Sequence, residues 1–266
     1  MERPAWAPQG IDLSVPSVSR MYDYYLGGSH NFEVDRAAAR RAIDLFPGLP
    51  KLAQANRAFM RRAVRYALDQ GVHRFLDIGS GIPTFGNVHE IALAGEPGAR
   101  VVYVDNDPVA VAHSRAVLAG EERAEIVAAD FREPAALLER EPVRRLLEPG
   151  RPVALLLVAL LHFFADEDKP GAHVAALRDA LPPGSLLVLT HLTDDGPAGA
   201  GAITEVYRRG GATLVTRNAA EVARFFEGFE LVEPGVVALP DWRPESPPAQ
   251  EDPNVYSGYA GVGRTA

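Results

Sequence analysis

Phe75-Leu76-Asp77-Ile78-Gly79-Ser80-Gly81 decides how this chain is read. An apolar run carrying one acid leads into two glycines that flank Ser80. This order predicts a strand that ends in a tight turn and opens a helix. A Gly-x-Gly at such a turn lets the backbone come close to a ligand, which then sits in the crevice beyond the carboxyl ends of the strands. The same residues would also serve a plain strand-to-helix turn, so residues further along must decide.

Val101-Val102-Tyr103-Val104-Asp105 reads as a second strand that ends in an acid. A carboxylate there can accept hydrogen bonds from both hydroxyls of a ribose. Asp107-Pro108 follows at once and has the form of a helix cap, which assigns Asp107 to capping and leaves Asp105 for the ligand. After a third strand comes Asp130-Phe131. An acid there can accept from an adenine amino group while the aromatic ring packs on the base; its other reading is a solvated loop acid.

Around these three points, short apolar runs alternate with helical stretches. Strands are predicted at 73–78, 100–105, 124–129, 153–160, 185–191, 229–237 and 255–262. Helices fit at about 86–95, 108–119, 133–147, 172–181, 199–209 and 218–227. Such alternation implies an α/β protein with a parallel sheet covered on both faces. The fourth and fifth strands are almost wholly apolar, as central strands should be. The last two strands are joined by the proline-rich stretch 238–254, with no helical pattern, which suits an antiparallel pair. Residues 1–71 read differently, as a proline-rich arm followed by three helices: one from about Ser17, one over Glu33–Phe46 and one over Lys51–Gln70. The expected organisation is a helical N-terminal extension over 1–71 and an α/β domain over 72–266.

Composition narrows the function. The 266 residues carry 35 acidic and 27 basic side chains, a net charge of −8. That balance argues against a nucleic-acid partner. Arg61, Arg62 and Arg65 form a small basic group, read as the solvated face of a helix. With no cysteine, disulfides, thiolate zinc sites and thiol nucleophiles are excluded. The N-terminus lacks the pattern of a signal peptide. The longest apolar run, Val153 to Leu161, is far below the ~20 residues that span a bilayer. A cytoplasmic protein with no membrane partner, as monomer or homodimer, is expected.

The blocks Arg20-Met21-Tyr22-Asp23-Tyr24-Tyr25-Leu26-Gly27-Gly28-Ser29-His30-Asn31-Phe32, 75–84, Tyr103-Val104-Asp105-Asn106-Asp107-Pro108, Ala129-Asp130-Phe131-Arg132-Glu133-Pro134 and Ala159-Leu160-Leu161-His162-Phe163 together resemble the class I S-adenosylmethionine-dependent methyltransferases. Within that class they resemble the actinobacterial S-adenosyl methyltransferase family, formerly described as a domain of unknown function. The resemblance runs from about residue 15 to the end, and the 20–32 block is its specific part. It implies a Rossmann-like methyltransferase fold: a seven-stranded, mostly parallel sheet with an antiparallel last strand. It also implies S-adenosyl-L-methionine as cofactor and S-adenosyl-L-homocysteine as product. Asp77, Gly79 and Gly81 would border the methionine part, Asp105 the ribose, and Asp130 with Phe131 the adenine, with Ser80 and Asn106 also counted among the cofactor-binding residues.

The 20–32 block has two readings. As function it is a lid, with Tyr22 and Tyr25 over the site, Gly28 easing the approach and Arg20 pairing with the cofactor carboxylate. As structure it is an amphipathic helix with a glycine stop. His162 follows the fourth strand, where it could take a proton from an attacking hydroxyl or amine, or simply form part of the wall. His191 ends the fifth strand and has weaker support. Asp166, Glu167 and Asp168 read as a helix start, and no metal is expected. Phe163, Phe164, Tyr207, Phe225 and Trp242 could line an acceptor pocket or belong to the core. The expected reaction is methyl transfer to O or N of an unidentified small-molecule acceptor. The competing readings are an S-adenosylmethionine-binding sensor without catalysis and an NAD(P)-dependent oxidoreductase. The second needs Gly-x-Gly-x-x-Gly, and Thr84 stands at its third glycine. A nucleophile elbow around Ser80 is excluded by the wrong glycine spacing.

Overall fold

The computed structural model of the chain describes residues 12–83, 86–147, 150–195, 203–245 and 257–266. Three helices come first: α1 (Val18–Tyr25), α2 (Glu33–Leu45) and α3 (Leu49–Asp69). The alternating part follows, with β1 (Arg74–Ile78), α4 (Val88–Gly95), β2 (Arg100–Asp105), α5 (Pro108–Val117) and β3 (Ala124–Ala128). Then come α6 (Pro134–Leu138), α7 (Glu141–Leu146), β4 (Ala154–Leu157), α8 (Pro170–Asp179) and β5 (Leu186–Leu192). The remainder holds α9 (Thr204–Arg209), α10 (Ala219–Arg224), β6 (Glu230–Leu231), β7 (Val237–Ala238) and β8 (Gly258–Arg264).

The sheet runs β3-β2-β1-β4-β5-β8-β6, with β7 also on β8. β1 to β5 are parallel, and β8 enters antiparallel between β5 and β6. The strand order reverses between β1 and β4, where a crevice opens at the carboxyl ends. The expected Rossmann-like arrangement with its antiparallel last strand is present.

Burial alternates with the pleat. Phe75, Val101, Tyr103, Leu156 and Val188 face one core, which α1–α3 complete with Met21, Phe59, Met60 and Val64. Leu76, Ile78, Val102, Val104, Leu155 and Leu187 face a second core on the other side. Asp77 and Asp105 share the parity of Phe75 and Tyr103, which points them to the side that α1–α3 cover. The fully buried Trp242 fastens α3 to the chain before β8. Its ring meets Phe59 and Tyr66 edge-on, at 5.3 and 5.7 Å. Arg62 donates to the carbonyls of Trp242 and Leu239, both at 2.8 Å. The basic group on α3 is therefore partly an internal tie rather than a solvated face.

Three elements differ from expectation. The sixth strand, expected over 229–237, divides into β6 and β7. Pro234 has no N–H for a ladder, and Gly235 N donates to Val232 O at 2.8 Å to close a turn between the halves. The helix expected over 133–147 breaks into α6 and α7, because Pro142 suits a first turn and not a helix interior. The fourth strand stops at Leu157 instead of running to residue 160; Ala159 turns to a left-handed φ of 55°. The first part of the expected 199–209 helix and the start of the expected last strand lie outside the described residues.

Candidate active site

A cavity of about 470 Å³ opens at the reversal of strand order. Its floor is the β1–α4 turn. Gly79 and Ser80 donate their amides to Val104 O at 2.8 and 3.2 Å, which hooks the turn onto β2. Gly79 has φ +73°, and a Cβ there would meet Leu160 Cδ1 at 2.5 Å. Gly81 has φ +68°, and a Cβ there would meet nothing within 4 Å. The first glycine thus admits a neighbouring side chain, and the second leaves open space for something else.

Asp105 stands at the end of β2. Its Oδ2 accepts from Gly81 N at 2.7 Å and its Oδ1 from Asp107 N at 2.8 Å. Each oxygen keeps a second acceptor direction. Asp107 caps α5, accepting from Val109 N at 2.7 Å and Ala110 N at 3.3 Å. Ser17 Oγ donates to its other oxygen and ties the start of α1 to the same corner. Burial pushes the Asp77 carboxyl up to about 7; Arg57 opposes that rise and Asp105 adds to it. Burial likewise pushes Asp105 up to about 6, against the amide hydrogen bonds that it accepts. Asp130 lies further out, held by Arg132 Nη2 at 2.5 Å and Asn106 Nδ2 at 3.1 Å. The Arg132 hydrogen bonds hold its carboxyl down to about 2.

The cavity therefore gathers Asp77, Gly79, Ser80, Gly81, Asp105, Asn106, Asp130, Phe131 and Tyr22. Phe131 is buried beside Phe164, with ring centroids 5.1 Å apart. Arg20 and Gly28 do not line it. Arg20 Nε lies 3.2 Å from Asp35 Oδ1, and its Nη2 donates to Val15 O at 2.8 Å. Asp35 also accepts from Ser17 N and Phe32 N, so Arg20 is occupied in fixing α1 to α2. Gly28 lies against the carboxylate of Asp23, which accepts from His30 N at 2.9 Å and Asn31 Nδ2 at 2.7 Å. Much of the 20–32 block is thus a self-bonded corner.

Several residues of the cavity were missed in the sequence. Asn56 and Arg57 reach it from α3 and Arg132 from the third loop. Asn56 had a signal: it interrupts the apolar stripe Leu52, Phe59, Met60, Ala63 and Val64. It donates to Tyr22 Oη at 2.9 Å and accepts from Thr190 Oγ1 at 2.7 Å. Thr190 Oγ1 in turn accepts from Ala159 N at 2.8 Å. This buried chain joins α1, α3, β5 and the left-handed turn after β4. Left-handed backbone at a non-glycine residue is costly, and such strain gathers at functional sites.

Tyr25 and His162 line a second, smaller chamber of about 60 Å³. Tyr22, Asn56, Ala159 and Phe163 border both spaces. Tyr25 Oη and Tyr207 Oη are 3.0 Å apart. His162 is buried, and its Nδ1 meets no hydrogen-bond partner. Burial, helped by His191 and Arg217, holds it well below the usual imidazole range, so it is neutral. His191 is already committed. Its Nδ1 donates to Leu192 O at 2.7 Å, and its Nε2 accepts from Arg217 Nη1 at 2.9 Å. Of the other aromatics, Phe164 lines the large cavity, Phe163 both spaces and Tyr207 the chamber, whereas Trp242 is core. Asp166–Asp168 form a 3-10 turn, and among the described residues no three His, Asp or Glu side chains gather as metal ligands would.

The comparisons agree with this geometry. A candidate methyltransferase from Thermobifida fusca YX has a crystal structure that superposes with a TM-score of 0.93 at 42% identity, over 98% of this chain and 99% of that one. A DUF574 family protein from Streptomyces avermitilis MA-4680 superposes with a TM-score of 0.91 at 38% identity, over 96% and 99%. A search of curated protein sequences finds no match. A family model described as S-adenosyl methyltransferase matches residues 4–266. With the same fold, a glycine turn under an open cavity and three acids along the strand ends, the chain belongs to that family of S-adenosylmethionine-dependent methyltransferases.

Proposed function

We propose that the chain methylates an O or N atom of a small molecule, and that the 470 Å³ cavity holds the cofactor with the acceptor entering beside it. The observation that carries this is the convergence of Gly81, Asp105 and Asp130 on one cavity that shares Tyr22, Asn56, Ala159 and Phe163 with an uncharged chamber. The donor set fits the cofactor part by part. Asp105 has acceptor directions to spare for two ribose hydroxyls. Asp130 and Asn106 present polar edges to an adenine, with Phe131 beneath. The space at Gly81 suits the methionine chain, alongside Asp77. For the carboxylate end, Arg57 replaces Arg20 as the candidate, because it lines the cavity. The bound cofactor supplies a methyl group already activated on a sulfonium, so the protein mainly aligns the partners.

In this reading α1 covers the site through Val18, Ser19 and Tyr22, and Tyr25 closes the chamber behind. His162, neutral and on the chamber wall, is the group we assign to take a proton from the acceptor. The acidic balance of the whole chain and the small size of the uncharged chamber support a small molecule over a nucleic acid. No described helix is long and apolar enough to cross a membrane.

The Arg57 assignment has a direct test. Charge-assisted hydrogen bonds contribute about 1.5–3 kcal/mol, so Arg57→Gln should weaken S-adenosylhomocysteine binding by roughly 10- to 150-fold. It should leave 5′-methylthioadenosine, which lacks the amino-acid carboxylate, nearly unaffected. Equal loss for both ligands in calorimetry would remove Arg57 from that role.

A further inference from the structure

The chamber beside the main cavity has a chemical character of its own. Among the described residues, no Asp, Glu, Lys or Arg lines it. Its two histidines are both neutral at pH 7: His162 lies well below the usual range, and burial holds His191 down to about 4. Most of its other polar atoms are already used. Asn56 serves Tyr22 and Thr190, Thr190 serves Asn56 and Ala159, and His191 serves Leu192 and Arg217. Two are not. The Tyr25–Tyr207 contact uses one hydroxyl proton and leaves the other, and the His162 ring lines the chamber without making a hydrogen bond among the described residues, its Nδ1 being wholly enclosed. A buried polar side chain without a hydrogen bond is uncommon, and its accessible ring nitrogen is a place where a ligand atom or an ordered water belongs.

We infer that this chamber receives the hydroxyl end of an uncharged, largely apolar acceptor, an alcohol or a phenol, whose O–H donates to His162. The inference rests on the cofactor reading of the larger cavity and adds the acceptor's class. An alkylamine is an ammonium ion at neutral pH, and the chamber has no anion to hold it. A carboxylate would meet no cation there. Either ion would surrender its hydration without a partner, which apolar sites disfavour strongly. A neutral hydroxyl uses both unmatched groups: it donates to the imidazole nitrogen and can accept the spare tyrosine proton.

Size limits what enters. A dry cavity that takes up benzene measures about 150 Å³, or roughly 25 Å³ per carbon. At about 60 Å³ the chamber has room for the hydroxyl and the adjoining carbon, not for a whole ring. The rest of the acceptor must lie across the border formed by Tyr22, Ala159 and Phe163, on the cofactor side.

The test uses the full-length protein saturated with S-adenosylhomocysteine and three probes of similar shape: phenol, benzoate and benzylammonium. Ligand-observed NMR at pH 7.5 should show saturable phenol binding, at least tenfold tighter than either ion. Leu214→Phe, which fills the chamber from a residue that does not line the large cavity, should abolish phenol binding. His162→Phe should weaken it about tenfold. Calorimetry with S-adenosylhomocysteine checks that both variants remain folded. Benzoate or benzylammonium binding as well as phenol overturns the inference, as does phenol binding that survives both substitutions. Absence of phenol binding by protein that does bind S-adenosylhomocysteine also overturns it. Loss of S-adenosylhomocysteine binding by the wild type would instead strike the cofactor reading beneath.

Discussion

Two buried carboxylates line the main cavity, and their titration links it to pH. Asp77 at about 7 and Asp105 at about 6 both lie above the usual aspartate value, chiefly through burial. Over the interval from about pH 4 to 7 the folded chain therefore holds protons that the unfolded chain has released. The contribution of these groups to stability is complete below about pH 4 and is lost as the pH rises through 6 and 7. In urea titrations, Asp77→Asn should stabilise the protein relative to wild type at pH 8 and much less at pH 4.5. Ligand binding runs the other way. Asp105 must be ionised to accept from two hydroxyls, so S-adenosylhomocysteine affinity should climb as the pH passes through about 6. In Asp105→Asn that climb should vanish; a slope that persists in the variant would assign it to another group. Asp77, Asp105 and Asp130 were legible in sequence because each stands where an apolar strand stops. Arg57 and Arg132 were not, since arginines on a helix and in a loop carry no periodic signal and only the fold aims them inward. Arg20 looked like a ligand for the same reason: nothing in the sequence reveals that Asp35 already holds it.

Among the elements, the helical layer and the sheet are joined by buried polar contacts as well as by apolar packing. The chain Tyr22–Asn56–Thr190–Ala159 runs through both. Asn56→Leu keeps the branched shape but removes the donor to Tyr22 Oη and the acceptor of the Thr190 hydroxyl proton, at a cost of about 1–3 kcal/mol in stability. Thermal unfolding that moves by less than a degree would show that the chain contributes little. The α1–α2 corner has a sharper constraint. A Cβ on Gly28 would stand 2.0 Å from Asp23 Oδ1, and that carboxylate is already held by His30 and Asn31. Gly28→Ala should destabilise by about 1–3 kcal/mol, the range for overpacked sites, with S-adenosylhomocysteine affinity little changed once the protein is folded. Affinity lost without any loss of stability would return Gly28 to the ligand site. The helices α1–α3 and the central strands were predictable, since their periodicities of 3.6 and 2 are carried by long apolar patterns. The breaks were less so. Pro142 and Pro234 are visible as residues, but whether a proline starts a helix, splits a strand or sits in a loop depends on neighbours that the sequence does not name.

At the scale of the whole molecule, the cavity is walled by α1, α3 and the ends of β1, β2 and β4, so a ligand within it touches both halves of the fold. Binding to the folded state alone contributes about 2.7 kcal/mol at a concentration 100 times Kd. For a chain of this size that corresponds to a rise in Tm of roughly 5–10 °C. S-adenosylhomocysteine at such a concentration should give that rise in a thermal melt, and the uncharged chamber should stay available to phenol. The central claim is tested most directly by calorimetry with S-adenosylhomocysteine, S-adenosylmethionine and NAD⁺ on the wild type and Asp105→Ala. The account predicts saturable binding of both S-adenosyl ligands, weakened at least tenfold in the variant, and none of NAD⁺. Well-folded wild type that ignores the S-adenosyl ligands, or that binds NAD⁺ instead, would contradict it.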